Sequence, residues 1–411
     1  MKPLYAGELD SDQLELLDRI GDVGSASGLE MRGDDYLYLR IPHRNNASGD
    51  FETKPVRLVD LFCGVGGLSL GIEEAASSLG QPIETVYAAD TDPNATATYQ
   101  RNFPTANVQT EDLQQVFSME LGAPLCESEE ELVQKSGNID FLVGGPPCQG
   151  HSDLNNYSRR NDAKNRLYGI MARAAEVLQP RHILIENVSG ARHDKTKIVD
   201  RVGAWLEHLG YRVQTRLVHC IRLGIPQKRR RLILIASRCD VEFLPDPDIA
   251  DESSGRDVEW AIKDLEDEAP TQPLSTPSTP SKDNQARIRF LFQNNLWNLP
   301  NEQRPPCHRH KNHTYTSVYG RLRWDEPAQT ITSGFYSMCM GRYVHPSRER
   351  TLTAHEAARL QFFPDFFDWS DVSSRTSLAR LIGNAVPPKL AYVYAREMLK
   401  LDSYQQLDCQ Q

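Results

Sequence analysis

A succession of short apolar runs, separated by stretches of helical periodicity, limits this chain more than any other feature. The runs occupy residues 57–62, 84–89, 139–143, 182–188, 211–220 and 232–236, with a shorter one near 107–109. Helical patterns fall between them, over 68–76, 93–102, 170–178 and 199–209. Such alternation folds as a mostly parallel sheet with helices on its faces. Ligands of open α/β sheets lie beyond the carboxyl ends of the strands, so the residues that stop each run are the candidates for chemistry.

Those stops differ in kind. The first run enters Cys63-Gly-Val-Gly-Gly67, a turn that lets backbone approach a ligand at a helix N-terminus. Its spacing from Phe62, FxGxGG, departs from the GxGxxG of dinucleotide sites and argues against a nicotinamide cofactor. The second run ends in Asp90-Thr-Asp92, a carboxylate placed to accept from ribose hydroxyls, and the short third leads to Glu111-Asp112-Leu113. Residues 139–143 are halted by Gly144-Gly-Pro-Pro-Cys148-Gln149, which leaves the Cys148 thiol in a strand-end loop as a candidate nucleophile. The next run carries Glu186-Asn187-Val188, and Pro226-Gln-Lys-Arg-Arg-Arg231 leads straight into the last.

Length and composition bound the rest. A chain of 411 residues exceeds a single core and predicts two structural units. It has no run of about 18 apolar residues and no signal-peptide core. Its 8 cysteines are scattered without a CxxC pair. The expectation is a cytoplasmic protein with free thiols and no membrane association. A net charge of −10 weighs against a whole-surface nucleic-acid binder but leaves room for a local basic face. Residues 286–323 supply one, interleaving Arg287, Arg289, Arg304, Arg321 and Arg323 with Phe292, Trp297 and Tyr319. Cys307-His-Arg-His310 and His313 lack zinc-ligand spacing, so no metal is expected.

The remaining segments are less specific. Residues 1–55 are acidic, contain an alternating apolar piece at 36–41 and form an extension whose role is not disclosed. The polar stretch 149–166 has the length of a functional lid. Residues 245–282 are proline-rich and predict an irregular excursion. A helical pattern at 352–361 precedes a turn over 383–388, and Pro387 and Pro388 suit the first turn of a last helix reaching about 401.

Taken together, Asp60-Leu-Phe-Cys-Gly-Val-Gly-Gly67, Gly145-Pro-Pro-Cys148-Gln149, Glu186-Asn187-Val188, Gln227-x-Arg229-x-Arg231, Arg359-Leu-Gln361 with Phe363-Pro364, and Gly383-Asn384 resemble the blocks of the prokaryotic-type DNA cytosine-5 methyltransferases, in that family's order. The resemblance implies a Rossmann-like, S-adenosylmethionine-dependent α/β domain with a smaller irregular target-recognition domain. It divides the chain into an N-terminal extension (1–55), a catalytic and cofactor-binding domain (56–237), a target-recognition region (238–350) and C-terminal helices returning to the catalytic domain (351–411). Carried over by position, Cys148 matches the nucleophile and Glu186 the acid on the cytosine edge. Arg229 and Arg231 match the pair near the nucleophile and the base carbonyl. Phe62, Gly64, Gly66, Gly67, Leu68, Asp90, Thr91, Asp112, Leu113, Pro147, Asn384 and Val386 match the cofactor pocket. The chain departs from the common pattern at His151, often aromatic, and at Thr91, often bulky.

The implied partners are double-stranded DNA and a cognate restriction endonuclease or other defence proteins, with the enzyme a monomer on DNA. A tRNA methyltransferase and a catalytically silent DNA-binding regulator share the fold. Retention of both Cys148 and Glu186 favours an enzyme.

Overall fold

The computed structural model describes residues 35–42, 53–147, 166–193, 197–239, 256–270, 272–309 and 318–408. Cys148 and residues 149–165 of the expected lid, Gln149 and His151 among them, lie outside the described residues, as do His310 and His313. The chain forms two compact units. One comprises Met1–His219, Arg230–Pro247 and Val386–Gln411, and the other Cys220–Arg229 and Asp248–Ala385.

The first unit is built on a seven-stranded sheet. In chain order its elements are β1 (Val56–Leu61), α1 (Gly67–Ser77), β2 (Ile83–Asp90), α2 (Pro93–Asn102), β3 (Val108–Thr110), α3 (Leu113–Val116), α4 (Glu127–Ser136), β4 (Phe141–Gly144), α5 (Arg166–Leu178), β5 (His182–Val188), α6 (Ile198–His208), β6 (Arg212–His219), β7 (Arg230–Ser237) and α11 (Pro388–Asp408). The spatial order is β3-β2-β1-β4-β5-β7-β6. The first five pair in parallel, whereas β7 runs antiparallel to both β5 and β6. The expectation of a mostly parallel sheet therefore holds, and β7 is its exception.

Val59, Leu61, Leu142, Ile183, Ile185 and Leu234 join one core with Leu113, Leu132, Met171, Ala175, Val202 and Leu206 from α3 to α6. The alternate strand residues Leu58, Phe141, Val143, Leu184 and Ile233 are as deeply buried, so both sheet faces are covered. That explains why the strands read as continuous apolar runs. All parallel strands end at one edge of the sheet, and Asp90, Gly145 and Glu186 stand there together.

The second unit contains α7 (Val258–Ile262), α8 (Lys282–Gln293), α9 (Ala354–Leu360) and α10 (Arg375–Asn384). Its own small core gathers Ile288, Leu291, Leu299, Tyr319, Met338 and Val344. Its limits differ from boundaries at 238 and 350, for a visible reason. Gln227 bonds the Leu360 carbonyl (2.9 Å), the Gln361 side chain (2.7 Å) and the Ile331 amide (3.1 Å). Residues 220–229 are thereby tied to residues 331–361, and of the C-terminal helices only α11 belongs to the sheet unit.

Two local expectations are corrected. Residues 35–40 are helical, not an extended alternating piece. Arg40 closes that turn on Tyr36, bonding its carbonyl (3.3 Å) and lying 3.4 Å over its ring, an i,i+4 pair. Gly383 and Asn384 end α10 and do not open a turn. A Cβ at Gly383 would stand 2.2 Å from the Ser333 amide nitrogen, so the glycine permits a close helix-to-backbone approach.

Candidate active site

The glycine turn after β1 is fixed by hydrogen bonds on its sheet side. Cys63 donates its amide to the Ala89 carbonyl (3.0 Å), and Gly66 donates to Cys63 (2.9 Å). Gly66 is the left-handed N-cap of α1 (φ 89°), and a Cβ there would lie 2.5 Å from the Phe103 ring. Phe62 also has a positive φ, of 56°, which turns the chain sharply out of the strand. A Cβ built on Gly64 meets nothing within 4 Å, so the outer side of the turn is open.

Asp90 ends β2 beside that opening. Its Oδ2 accepts from the Gly64 amide (3.0 Å) and its Oδ1 from the Asp92 amide (2.9 Å). Burial raises its pKa against the pull of those bonds. Each oxygen keeps a lone pair for a further donor, as a ribose diol requires. Open backbone at Gly64 and this carboxylate fit an adenosyl cofactor. Asp112 plays a local part, capping α3 through the Gln114 amide (3.0 Å), while Leu113 packs in the core. Thr91 and Pro147 are exposed, Leu68 is buried, and Gly67 begins α1.

Glu186 and Arg231 form the charged part of the site. The β5–β7 register sets Val188 opposite Arg231 and Glu186 opposite Ile233, which makes Glu186 and Arg231 diagonal neighbours on one face. Arg231 Nε lies 2.5 Å from Glu186 Oε1. Neither atom has a partner at hydrogen-bonding angle, so the contact is a charge pair whose bonding directions are unspent. A parallel β7 would carry its other end to this edge; the antiparallel strand brings its first residues, and hence Arg231, beside the carboxyl end of β5.

Gly145 stands against the same carboxylate. A Cβ there would be 3.5 Å from Glu186 Oε2 and 3.7 Å from Val386 Cγ2. The loop leaving β4 toward Cys148 therefore starts between Glu186 and Val386, two residues before α11. The position of the thiol itself lies outside the described residues.

Arg229 has different surroundings. Its buried guanidinium donates to the carbonyls of Ile331 and Ala385, each at 3.1 Å, within the second unit. Asn384 is exposed and belongs to that unit too.

Two features escaped the sequence reading. Asp60 is fully buried under the turn, where it accepts from Ser69 Oγ (2.6 Å), which itself accepts from Tyr99 Oη (2.6 Å). Burial pushes the Asp60 carboxyl up to about 7. An aspartate inside an apolar strand was the available signal. At the opposite end of β5, His182, Cys239 and Asp402 form a buried metal-compatible group. Their ligand atoms are engaged with one another: His182 Nε2 with Asp402 (3.0 Å), and the Cys239 thiol donating to the other oxygen (3.1 Å).

The expected basic surface is partly self-engaged. Arg321 is sandwiched between Phe292 (4.1 Å) and Trp297 (4.4 Å) and donates to the Pro346 carbonyl (2.7 Å). Arg342, Arg287 and Arg304 also donate to main-chain carbonyls. Carbonyl partners orient these guanidiniums without neutralising them.

Residues 56–400 match the family described as C-5 cytosine-specific DNA methylase. The chain is similar to Type II methyltransferase M1.BsuMI of Bacillus subtilis (strain 168), with 42% identity over 89% of this chain and 85% of the relative. It is similar to Type II methylase M.HgiDII of Herpetosiphon aurantiacus, with 30% identity over 83% and 94%. Among solved structures, the fold resembles the Dnmt2 methyltransferase of S. pombe (TM-score 0.59, 18% identity, 84% of this chain and 98% of that one). No helix among the described residues is long and apolar enough to cross a membrane.

Proposed function

The chain belongs to the C-5 cytosine-specific DNA methylase family, and from that premise we propose that it methylates carbon 5 of a cytosine flipped out of duplex DNA, through a covalent bond from Cys148 to carbon 6. The observation that carries this reading is the Glu186–Arg231 pair, at 2.5 Å, beside Gly145 at the head of the Cys148 loop. Ring N3 and the carbonyl oxygen are adjacent on the edge of cytosine. A carboxyl and a guanidinium in contact offer donors to those two atoms side by side.

The roles follow from the chemistry of the base. Carbon 5 is a poor nucleophile while the ring is aromatic. Addition of the Cys148 thiolate at carbon 6 breaks the 5,6 double bond and makes carbon 5 an enamine carbon. Protonated Glu186 donates to N3 and takes up the charge that addition places on the ring. Arg231 donates to the carbonyl oxygen as a charge-assisted partner. S-adenosylmethionine, when bound, would supply the methyl group on a sulfonium; Asp90 and the turn Phe62 to Leu68 would hold its adenosyl part, and Asp112, Leu113, Pro147 and Val386 would line the rest of its pocket. After methylation, loss of the carbon 5 proton expels Cys148 and restores the double bond.

A stacked base cannot be reached in this way, so the target leaves the helix. We assign target recognition to residues 238–350, where Arg287, Arg304, Arg321 and Arg342 are oriented by main-chain carbonyls and stay charged for phosphate and base contacts. The similar proteins are named as Type II methyltransferases, which supports a role in restriction-modification, with a cognate endonuclease or other phage-defence proteins as functional partners.

The test is transfer of tritiated methyl from labelled cofactor to duplex DNA and, in parallel, to tRNA. The reading expects label in DNA at one sequence context. Label only in tRNA, or in neither, contradicts it.

A further inference from the structure

Three side chains of different chemistry meet in the first unit at the amino-terminal end of β5, away from the methyl-transfer site. His182 is the first residue of β5, Cys239 lies two residues past the end of β7, and Asp402 belongs to α11. All three are buried. Among the described residues they are the one group of three metal-ligating side chains whose ligand atoms lie within 4.8 Å of one another. His182 Nε2 stands 3.0 Å from Asp402 Oδ2, and Cys239 Sγ stands 3.1 Å from Asp402 Oδ1. The register of β5 against β7 sets His182 opposite Ser237. The Ser237 hydroxyl lies 3.0 Å from His182 Nδ1 and accepts from the Cys239 amide at 3.1 Å. One hydroxyl thus fixes both the imidazole and the backbone that carries the thiol. A ligating histidine is ordinarily oriented through its other nitrogen in this way. The Arg181 guanidinium, 43% exposed and 3.4 Å from Asp402 Oδ2, marks the side on which the group approaches solvent.

We propose that His182, Cys239 and Asp402 form a structural zinc site that clamps α11 to the β5–β7 pair, with a water from the Arg181 side as fourth ligand. One nitrogen, one sulfur and one oxygen donor suit Zn2+, which takes all three types, better than magnesium or calcium, which take oxygen. Around a tetrahedral zinc, ligand atoms about 2.0–2.3 Å from the metal stand roughly 3.3–3.8 Å from one another. The 3.0 and 3.1 Å separations widen by only a few tenths of an ångström to reach that spacing. In the metal-bound form His182 carries its proton on Nδ1, donates it to Ser237 Oγ and offers Nε2 to zinc. Burial and Asp402 hold the Cys239 thiol up at about 11, and the metal takes it as thiolate with release of one proton. Zn2+, thiolate and carboxylate then sum to no net charge, and Arg181 keeps its place at the rim. Four residues of strand, roughly 13 Å, separate His182 from Glu186, so the metal acts on the fold and not on the reaction. Cys239 and Asp402 are 163 positions apart, so the site closes a long loop of chain.

The experiment strips reduced full-length protein with a chelator and titrates it with Zn2+ or Co2+. Wild type is expected to take up one equivalent at this site. Cobalt should give thiolate-to-metal charge-transfer absorption, and zinc should raise the melting temperature, as a ligand bound only by the folded state must. Cys239→Ser should lose both the charge-transfer band and the zinc-dependent rise. Asp402→Asn should bind zinc roughly tenfold to a hundredfold more weakly or worse, since even partners outside the ligand set carry that much. If Cys239→Ser does not fold, the wild-type cobalt spectrum together with Asp402→Asn carries the measurement. A wild type that takes up neither metal would overturn the inference and leave the three side chains as a hydrogen-bonded group. So would a charge-transfer band that persists in Cys239→Ser, or a zinc affinity unchanged in Asp402→Asn.

Discussion

Arg231 Nε stands 2.5 Å from Glu186 Oε1, held there by the antiparallel pairing of β7 with β5. If Glu186 donates to ring N3, Glu186→Gln keeps the shape and loses the acid. Methylation should fall by roughly 10²–10⁴, the usual range for a general acid. S-adenosylhomocysteine affinity should change little. Initial rates with saturating DNA check this, and a near-normal rate removes Glu186 from the chemistry.

The glycine turn should be intolerant of a single methyl group. At Gly66 a Cβ meets Phe103 at 2.5 Å and Tyr99 at 2.9 Å, and the φ of 89° is one that L-residues avoid. Gly66→Ala is expected to cost about 2–5 kcal/mol, adding left-handed strain to overpacking. Chemical denaturation measures the loss, and calorimetry should show weakened cofactor binding.

His355 gives the second unit a dependence on pH. Burial lowers its pKa, but Asp365 on Nε2 (2.9 Å) and Glu268 on Nδ1 (3.0 Å) outweigh it and hold the imidazole up to about 9. The folded value exceeds the ordinary 6.5, so this stabilisation is complete below about 6.5 and is lost as pH rises through about 9. It amounts to on the order of 3 kcal/mol. Melting temperature should therefore drop between pH 7 and 9.5 in wild type, and the drop should shrink in His355→Gln.

Asp60 acts in the same direction in the first unit. Burial raises its carboxyl to about 7, with Asp90 adding to the effect and Ser69 opposing it. Its folded value lies above the unfolded 3.8, so its stabilising contribution is present below about 4 and is lost as pH climbs through 7. Asp60→Asn should match or exceed wild type in melting temperature at pH 8 and lose that advantage at pH 5. A variant that is less stable at pH 8 than at pH 5, relative to wild type, contradicts the assignment.

The strands were legible because a sheet covered on both faces must write each strand as an apolar run. The stops were legible because a carboxylate or glycine at a strand end breaks that run, as at Asp90, Gly145 and Glu186. Four things were not. The antiparallel direction of β7 leaves no mark in Leu232-Ile-Leu-Ile-Ala236, since a buried strand reads alike in either direction. Gly383 looked like a turn residue, yet its missing side chain serves contact with the Ser333 backbone, which no local pattern encodes. Asp35 and Lys389 lie 354 positions apart, and a single ion pair has no period. The resemblance assigns Arg229 to the pair near the nucleophile and the base carbonyl, and the structure shows its guanidinium bonded to the carbonyls of Ile331 and Ala385. The resemblance names both arginines but not the partners each takes.

The covalent step is the centre of the account. Duplex DNA carrying 5-fluorocytosine at the target position should, with S-adenosylmethionine, give a complex with wild-type protein that survives denaturing electrophoresis, because fluorine at carbon 5 cannot leave as a proton does. Cys148→Ser should give none and should transfer no methyl group to ordinary DNA. Full methyl transfer by a Cys148 variant, or wild-type activity without a trapped complex, would contradict the account.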